Sequence, residues 1–149
     1  MPLHWIAWQS VCKKHGLQFD EGRFYALGGV SVVKIFGMLL EEQGLEGDPV
    51  ELSLEKETAF VPLIPQVKAV GPVMNIVRQY RGKLPMAVAT GGERVNCTAV
   101  LKNIGVYDWF DAIVTSEDVT NQKPAPDIFL LAAERIGIPP TECRAYEDT

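Results

Sequence analysis

The sequence predicts an α/β protein with a helical N-terminal half and a parallel sheet in the C-terminal half. Residues 1–66 have apolar side chains at helical spacing, and no segment there has the pattern of a strand. From residue 67 onward, short apolar runs alternate with helical segments, which is typical of an open parallel sheet with right-handed crossovers. We therefore expect two domains, residues 1–66 and residues 67–149, divided near the segment Pro62–Pro65.

Capping residues predict four helices in the N-terminal half. Pro2 suits the first turn of a helix that Gly16 ends. Asp20, Ser31 and Asp48 are all favourable N-cap residues, and each precedes a segment with apolar residues at helical spacing. Together these four segments predict a small helical bundle.

Three helices and three strands are predicted in the C-terminal half. The first two strands are short apolar runs, the composition of strands buried in a parallel sheet. In chain order the predicted segments are helix 72–80, strand 85–90, helix 93–104, strand 112–115, helix 126–136 and strand 143–146.

Charge and composition exclude several classes of partner. Lys and Arg number 14 against 19 Asp and Glu, a formal net charge of −5, which argues against a nucleic-acid partner. No apolar run reaches the roughly 20 residues of a membrane span, so no membrane association is expected. The cysteines Cys12, Cys97 and Cys143 lack metal-ligand spacing and are expected to be reduced thiols of a cytoplasmic protein.

Polar residues follow the predicted strands, where the carboxyl ends of parallel strands meet. Thr90 follows the first strand, and the backbone amides of Gly91–Gly92 are expected to be free to approach an anion. Lys123 lies in the loop after the second strand, and Glu147 and Asp148 follow the third. Hydroxyl and ammonium groups bind phosphate oxygens and carboxylates bind Mg²⁺, so the set predicts a phosphate dianion beside a Mg²⁺ ion.

Each of these groups taken singly has a commoner structural explanation. A threonine before two glycines is usually part of an ordinary turn, and a loop lysine is usually solvated. Acidic residues near a terminus are usually exposed and frayed. The functional interpretation depends on their combined order, with a suitable group after each of the three predicted strands.

Three segments resemble the second, third and fourth motifs of haloacid dehalogenase-like hydrolases. They are Ala87–Gly92, Lys123–Asp127 and Tyr146–Thr149. The helical N-terminal half is similar to the cap that follows the first motif of the family. The chain looks closest to the beta-phosphoglucomutase-like branch, especially its sugar-phosphate phosphatases of the fructose-1-phosphatase type. The resemblance implies a Rossmann-like parallel sheet, incomplete because the first strand is missing, with an N-terminal helical cap.

The resemblance implies a Mg²⁺-dependent phosphatase that hydrolyses a small phosphorylated metabolite, a sugar phosphate, through an aspartyl-phosphate. Thr90 and Lys123 would be the catalytic residues that hold the phosphoryl group, and Glu147 and Asp148 would bind Mg²⁺, Asp148 directly. We expect the complete protein to be a monomer. The alternatives are a phosphomutase, a 2-haloacid dehalogenase, and a non-catalytic domain that binds a phosphorylated ligand or a partner.

The resemblance also implies substrate contacts from the cap, through His4, Ser31 and Lys56, besides the glycines Gly91 and Gly92. His4 matches a histidine that faces the active site in this branch, and a surface histidine is the equal alternative. Some relatives carry an arginine directly after the residue matching Ser31, where it binds a second phosphate. Val32 takes that position here, which favours a phosphatase over a mutase. Lys56 lies in a charged segment, where a solvated side chain is commoner.

The first motif of the family, Asp-x-Asp-Gly-Thr, does not occur in the 149 residues. Its two aspartates are the nucleophile and the general acid/base, so we expect this chain to be an inactive fragment that can still bind ligand weakly. The missing strand would lie between those that end at Thr90 and Tyr146. Without it we expect the chain to be marginally stable, aggregation-prone, or closed up with those two strands paired directly.

Overall fold

The structure is a computed structural model that describes residues 1–147 and contains helices and one short sheet. The elements are α1 (Pro2–His15), α2 (Glu21–Ala26), α3 (Val32–Gln43), α4 (Pro49–Phe60), α5 (Gly71–Tyr80), β1 (Ala87–Ala89), α6 (Arg94–Asn103), β2 (Ala112–Val114) and α7 (Asp127–Arg135). Short 3-10 helices lie at Val61–Gln66, Tyr107–Trp109, Ser116–Asp118 and Pro140–Glu142. The chain divides into a first unit, residues 1–64, and a second unit from residue 65 onward.

The helices of the first unit begin and end at the residues that predict them. Asp20, Ser31 and Asp48 each accept a hydrogen bond from a backbone amide of the following turn, at 2.9, 3.3 and 2.8 Å. Gly16 ends α1 with φ of 71°, a left-handed conformation that glycine adopts without steric cost. The predicted helical bundle is therefore confirmed for this unit.

A large cluster of buried side chains in the first unit is rich in aromatic rings. The rings of Trp8 and Phe36 lie 4.3 Å apart between centroids, and Leu39 is fully buried beside them. Helix α4 packs against both α1 and α3. Because a helix satisfies its own backbone hydrogen bonds, apolar stripes on a few helices are enough to close this core.

The second unit contains a parallel pair of three-residue strands. Ala87 of β1 aligns with Ala112 of β2, and Ala89 aligns with Val114. Helix α7 packs against both strands. In the described part of this unit, one apolar cluster forms around Met74, Leu101 and Val106, and another forms around Val114, Ile128 and Ala132. The predicted α/β class, with a parallel sheet and a helical N-terminal half, is confirmed.

The prediction of a third strand at 143–146 is wrong for the described part of the chain. Residues 143–147 are exposed and have no strand assignment, and β1 pairs only with β2 in the described sheet. A strand needs a neighbouring backbone to accept and donate hydrogen bonds, and this segment has none beside it. The expected direct pairing of residues 143–146 with the strand before Thr90 is therefore not seen. Asp148 and Thr149 lie outside the described residues.

The helices of the described chain are short compared with a membrane span, or are interrupted. Between residues 1 and 147, no single helix is long and apolar enough to cross a bilayer. Two helical segments joined at a bend, Pro49–Gln66 and Gly71–Tyr80, together have the length and composition of a span. Buried helices of water-soluble proteins have the same length and composition.

Candidate active site

The turn after β1 holds Thr90 at the carboxyl edge of the sheet. The Thr90 amide donates to the carbonyl of Val114 at 2.9 Å, which continues the β1–β2 pairing by one residue. The Thr90 hydroxyl oxygen accepts a hydrogen bond from the Gly92 amide at 3.1 Å. A hydroxyl that accepts through its oxygen keeps its own proton available for a ligand oxygen.

The expectation that the amides of this turn are free is wrong for Gly92. Its N–H is engaged by Thr90, because a hydroxyl two residues earlier in a tight turn is within reach of the amide. At the start of α6, the Arg94 amide donates to a carboxylate oxygen of Glu117 at 3.3 Å. A side-chain carboxylate thus lies at the helix N-terminus, where negative charge is favourable.

The loops after β1 and β2 are joined by hydrogen bonds through Ser116. Its amide and hydroxyl both donate to the Gly92 carbonyl, at 3.3 and 3.2 Å. The Gln122 side-chain amide donates to the Ser116 carbonyl in a long hydrogen bond of 3.5 Å. The residue that precedes Lys123 is therefore tied, through Ser116, to the turn that carries Thr90.

Lys123 is held by a carboxylate and an aromatic ring. Its ammonium lies 2.5 Å from Oε1 of Glu147 and 4.8 Å from the centroid of the Phe129 ring. The Lys123 side chain is 15% exposed, so the alternative of a solvated loop lysine is wrong. The Glu147 side chain is 38% exposed, and its carboxylate forms this ion pair.

The described residues do not by themselves form a site for Mg²⁺. Within residues 1–147, no group of three or more His, Cys, Asp and Glu side chains is placed to hold a metal ion. Of the two predicted ligands, Glu147 is paired with Lys123 and Asp148 lies outside the described residues. One carboxylate that is already paired with an ammonium does not complete the oxygen shell that Mg²⁺ requires.

An ionic cluster around the half-buried Asp118 supports the loop after β2. The Asp118 carboxylate accepts from the amide and hydroxyl of Thr115 at 2.7 and 2.9 Å, from Arg135 at 2.8 Å, and from Arg94. Both guanidinium groups also donate to the Ile113 carbonyl of β2, at 3.3 Å from Arg94 and 3.0 Å from Arg135. We call these residues the Asp118 cluster.

The hydrogen bonds of the Asp118 cluster lower the pKa of Asp118. Burial works to raise the pKa of Asp118, but the hydrogen bonds from Thr115 and Arg135 outweigh it and lower the pKa to about 2. Sequence reasoning missed the cluster. Its Thr-x-x-Asp pattern at 115–118 matches a capping box and was visible in the sequence, whereas the two arginines come from helices distant in the chain.

In the first unit, His4 and Lys56 meet in a buried cluster. The Lys56 ammonium lies 3.2 Å from Nδ1 of His4 and 2.7 Å from Oε1 of Glu57. The His4 ring stacks on Phe60 with 3.9 Å between centroids. The side chain of Lys56 is 3% exposed, so the expectation of a solvated lysine is wrong: its helix face turns toward α1. We call His4, Lys56 and Glu57 the His4 cluster.

The His4 ring is neutral in this cluster. Burial, and then the positive charges of Lys56 and the chain's amino terminus, lower the pKa of His4 to about 3. The Lys56 ammonium can only donate, so Nδ1 of the neutral ring accepts its hydrogen bond. The single ring proton therefore lies on Nε2. The residue as a whole is half-buried. Sequence reasoning missed Glu57, because a charged residue on a helix is normally exposed.

Ser31 has a structural role at the start of α3. Its hydroxyl oxygen accepts the hydrogen bond from the Lys34 amide at 3.3 Å, and Val32 begins the helix. Its part in binding a substrate stays a prediction.

Comparison with known proteins identifies first the class and then the family. The sequence model of a hydrolase family, described as haloacid dehalogenase-like hydrolase, matches residues 8–149. The chain is therefore a member of the haloacid dehalogenase-like hydrolase family. The predicted family is confirmed, and so is its enzyme class, a hydrolase of phosphoric monoesters.

Individual relatives agree with the family match. The chain is 37% identical over 147 residues to fructose-1-phosphate phosphatase YqaB of Escherichia coli K12, covering 99% of this chain and 78% of that protein. It is 27% identical to the phosphorylated carbohydrates phosphatase of Thermotoga maritima, covering 99% of this chain and 69% of that protein.

A solved structure shows the same fold. The beta-phosphoglucomutase of Clostridium difficile superposes with a TM-score of 0.82 at 24% identity, covering 95% of this chain and 66% of that one. The chain thus spans about two thirds to three quarters of the length of these relatives.

Proposed function

We propose that the complete protein is a phosphatase that hydrolyses a small phosphorylated metabolite, most simply a sugar monophosphate. The observation that carries the proposal is the Lys123 ammonium, largely buried after β2 in a loop that is tied to the Thr90 turn. An ammonium and a threonine hydroxyl, each in a loop that follows a strand of the same sheet, suit a phosphate dianion. The likeness to fructose-1-phosphate phosphatase supports the sugar-phosphate class.

In this proposal the catalytic residues Lys123 and Thr90 bind oxygens of the phosphoryl group. Glu147 and the Phe129 ring hold the Lys123 ammonium in place before the substrate arrives, so little reorganisation is needed. The Gly91 amide is the proposed backbone donor to the same group. In the first unit, taken by itself, His4 and Lys56 stay proposed substrate-binding residues.

The nucleophile in this proposal is the first aspartate of the Asp-x-Asp-Gly-Thr motif, which the 149 residues do not contain. It attacks the phosphorus as the bond to the sugar oxygen breaks, and the second aspartate protonates that oxygen so that it leaves as a hydroxyl group. Water, giving a proton back to the second aspartate, then cleaves the aspartyl-phosphate and releases inorganic phosphate. Mg²⁺, held by Glu147 and Asp148, would supply positive charge next to the phosphate. For the chain by itself we therefore expect ligand binding without turnover.

The test compares Lys123→Ala with Lys102→Ala, a lysine of the same unit that stacks on Tyr107 instead. In a form that also carries the first motif, Lys123→Ala is expected to lower kcat/KM for fructose 1-phosphate by about 10²–10³-fold, the cost of removing one transition-state donor. Lys102→Ala is expected to change it less than threefold. Full activity of Lys123→Ala would contradict the proposal, and full activity in EDTA would contradict its Mg²⁺ part.

The reaction product distinguishes the phosphatase from the competing functions. Release of inorganic phosphate indicates a phosphatase, whereas interconversion of hexose monophosphates without phosphate release indicates a mutase. Binding with neither reaction, in the form that carries the first motif, indicates a non-catalytic domain. Val32, in place of an arginine for a second phosphate, favours the first outcome.

A further inference from the structure

The short 3-10 helix after β2 contacts the turn after β1 through each of its three residues. The amide and hydroxyl of Ser116 donate to the Gly92 carbonyl, at 3.3 and 3.2 Å. The Glu117 carboxylate accepts from the Arg94 amide at 3.3 Å, and the Asp118 carboxylate accepts from the Arg94 guanidinium. The last two contacts hold the start of α6, whereas Ser116 holds the glycine turn before it.

The glycine turn needs contacts from outside to keep one conformation. Gly91 and Gly92 lack a Cβ atom, so their backbone has more accessible conformations than that of other residues, and fixing it costs more conformational entropy. Both backbone polar groups of Gly92 are hydrogen-bonded: its amide donates to Oγ1 of Thr90 at 3.1 Å, and its carbonyl accepts from Ser116. Ser116 therefore supplies a contact that fixes this turn from the neighbouring loop.

The position of Gly92 decides how the Thr90 hydroxyl is oriented. A threonine side chain has three staggered positions for its hydroxyl, and the hydrogen bond from the Gly92 amide selects one of them. In that arrangement the hydroxyl oxygen accepts, so its proton is available to a phosphoryl oxygen. A shift of Gly92 would release the hydroxyl to the other two positions.

We propose that Ser116 is a positioning residue, whose hydroxyl fixes Gly92 and thereby keeps the Thr90 hydroxyl oriented for the phosphoryl group. This proposal rests on the phosphatase function proposed above and adds to its site a residue that acts through Thr90. All the contacts that carry it lie within the second unit. Donors that are oriented before the reaction stabilise the transition state without reorganisation.

The hydroxyl of Ser116 can be removed without breaking the link toward Lys123. That link is the Ser116 carbonyl, which accepts from the Gln122 side chain at 3.5 Å, and every amino acid carries this carbonyl. Ser116→Ala also keeps the backbone amide that donates to Gly92. The variant therefore removes a single hydrogen bond, and a moderate effect is expected.

The test measures kcat and KM for fructose 1-phosphate in a form that also carries the first motif. Ser116→Ala is expected to lower kcat/KM about fivefold, the effect of one hydrogen bond. Ser116→Thr keeps a hydroxyl and is expected to stay within about twofold of the unsubstituted form. Thr120→Ala is the matched control, since it removes an exposed hydroxyl from the same loop, and should change kcat/KM less than about 1.5-fold.

A double-mutant cycle separates positioning from a general loss of structure. In a Thr90→Val background the hydroxyl that Ser116 positions is absent, so adding Ser116→Ala should change kcat/KM by less than about 1.5-fold. A contribution to structure alone would instead lower kcat/KM about fivefold in both backgrounds.

Two further measurements keep the proposal testable if Ser116→Ala does not fold. Ser116→Cys is close to serine in size but offers only a weak S–H donor, and should show the same loss of about fivefold. Hydrogen exchange of the Gly92 amide, followed by NMR, should be at least about threefold faster in the variants that lack the hydroxyl and unchanged in Thr120→Ala. Circular dichroism melts show which variants are folded.

The outcomes separate this proposal from the function on which it rests. Phosphate release by the unsubstituted form, with no loss in Ser116→Ala and Ser116→Cys, overturns the positioning role and leaves the phosphatase proposal standing. An equal loss in the Thr90→Val background, or an unchanged exchange rate of the Gly92 amide, has the same consequence. No phosphate release from any sugar monophosphate by the unsubstituted form overturns both.

Discussion

Among the described residues, the first unit contains a large cluster of buried aromatic and aliphatic side chains, whereas the second contains smaller apolar clusters and polar contacts between loops. In the first unit, the rings of Trp8 and Phe36 lie 4.3 Å apart inside the largest of these clusters. In the second, the strands are three residues long, and the Asp118 cluster binds the outer carbonyl of β2. Local helices can close a core by themselves, while a short parallel sheet needs other groups to complete its edges.

The largest expected loss of stability comes from a substitution inside the aromatic cluster of the first unit. Phe36→Ala should lower the free energy of unfolding of the first unit by about 4 kcal/mol, because the ring is fully buried against Trp8. Urea unfolding followed by tryptophan fluorescence in a Trp109→Phe background reports on this unit alone, since Trp5 and Trp8 both lie in it.

The control for this comparison is Leu54→Ala. Leu54 is 61% exposed on α4, so its truncation should cost less than about 0.5 kcal/mol. Equal losses for the two variants would contradict the assignment of stability to the aromatic core.

The next effect concerns the polar contacts of the second unit. Asp118→Asn removes a carboxylate that accepts from Thr115 and from two arginines, and should lower the stability of the second unit by about 2 kcal/mol. Hydrogen exchange of amides in β2 and α7, measured by mass spectrometry, should show faster opening there and no change in α1. Asp108→Asn, an exposed change in the same unit, should leave exchange unaltered.

Acid should lower the stability of the second unit more than that of the first, because of Asp118. The pKa of Asp118 is lowered to about 2 in the folded chain, from 3.8 when unperturbed. Because the pKa of Asp118 is lower in the folded chain than in the unfolded chain, its ionised carboxylate stabilises the folded state. This contribution is complete above about pH 4 and is lost as the pH falls from about 4 to about 2. Hydrogen exchange at pH 5, 4 and 3 should show β2 opening with acid, and a flatter profile in Asp118→Asn. An unchanged profile would contradict this role.

The smallest expected effect is that of a surface ion pair in the first unit. Hydrogen bonds from Lys14 and His15 lower the pKa of Glu55, whose side chain is 31% exposed. Glu55→Gln should cost only about 0.5 kcal/mol, less at high salt, because water screens exposed pairs. Urea unfolding at low and high salt measures it, and a loss above about 1.5 kcal/mol would mean that α1 and α4 depend on this pair.

Features that depend on neighbours in the chain were predictable from the sequence. The caps at Asp20, Ser31 and Asp48 lie where their residue types indicate, and the apolar runs that predict β1 and β2 form those strands. The reason is that a cap bonds an amide two or three residues away, and that apolar periodicity selects the buried face of each segment.

Features that depend on a partner distant in the chain were decided by the tertiary structure. Residues 143–146 are strand-like in sequence but have no strand beside them, and Lys56 is charged yet buried because His4 and Glu57 surround its ammonium. The Lys123–Glu147 pair likewise joins groups 24 residues apart. The sequence by itself determined which residues cap the helices of the first unit and which apolar runs form β1 and β2. Only the packed chain decided which charges meet, because burial and ion pairing depend on what the fold places within a few ångströms.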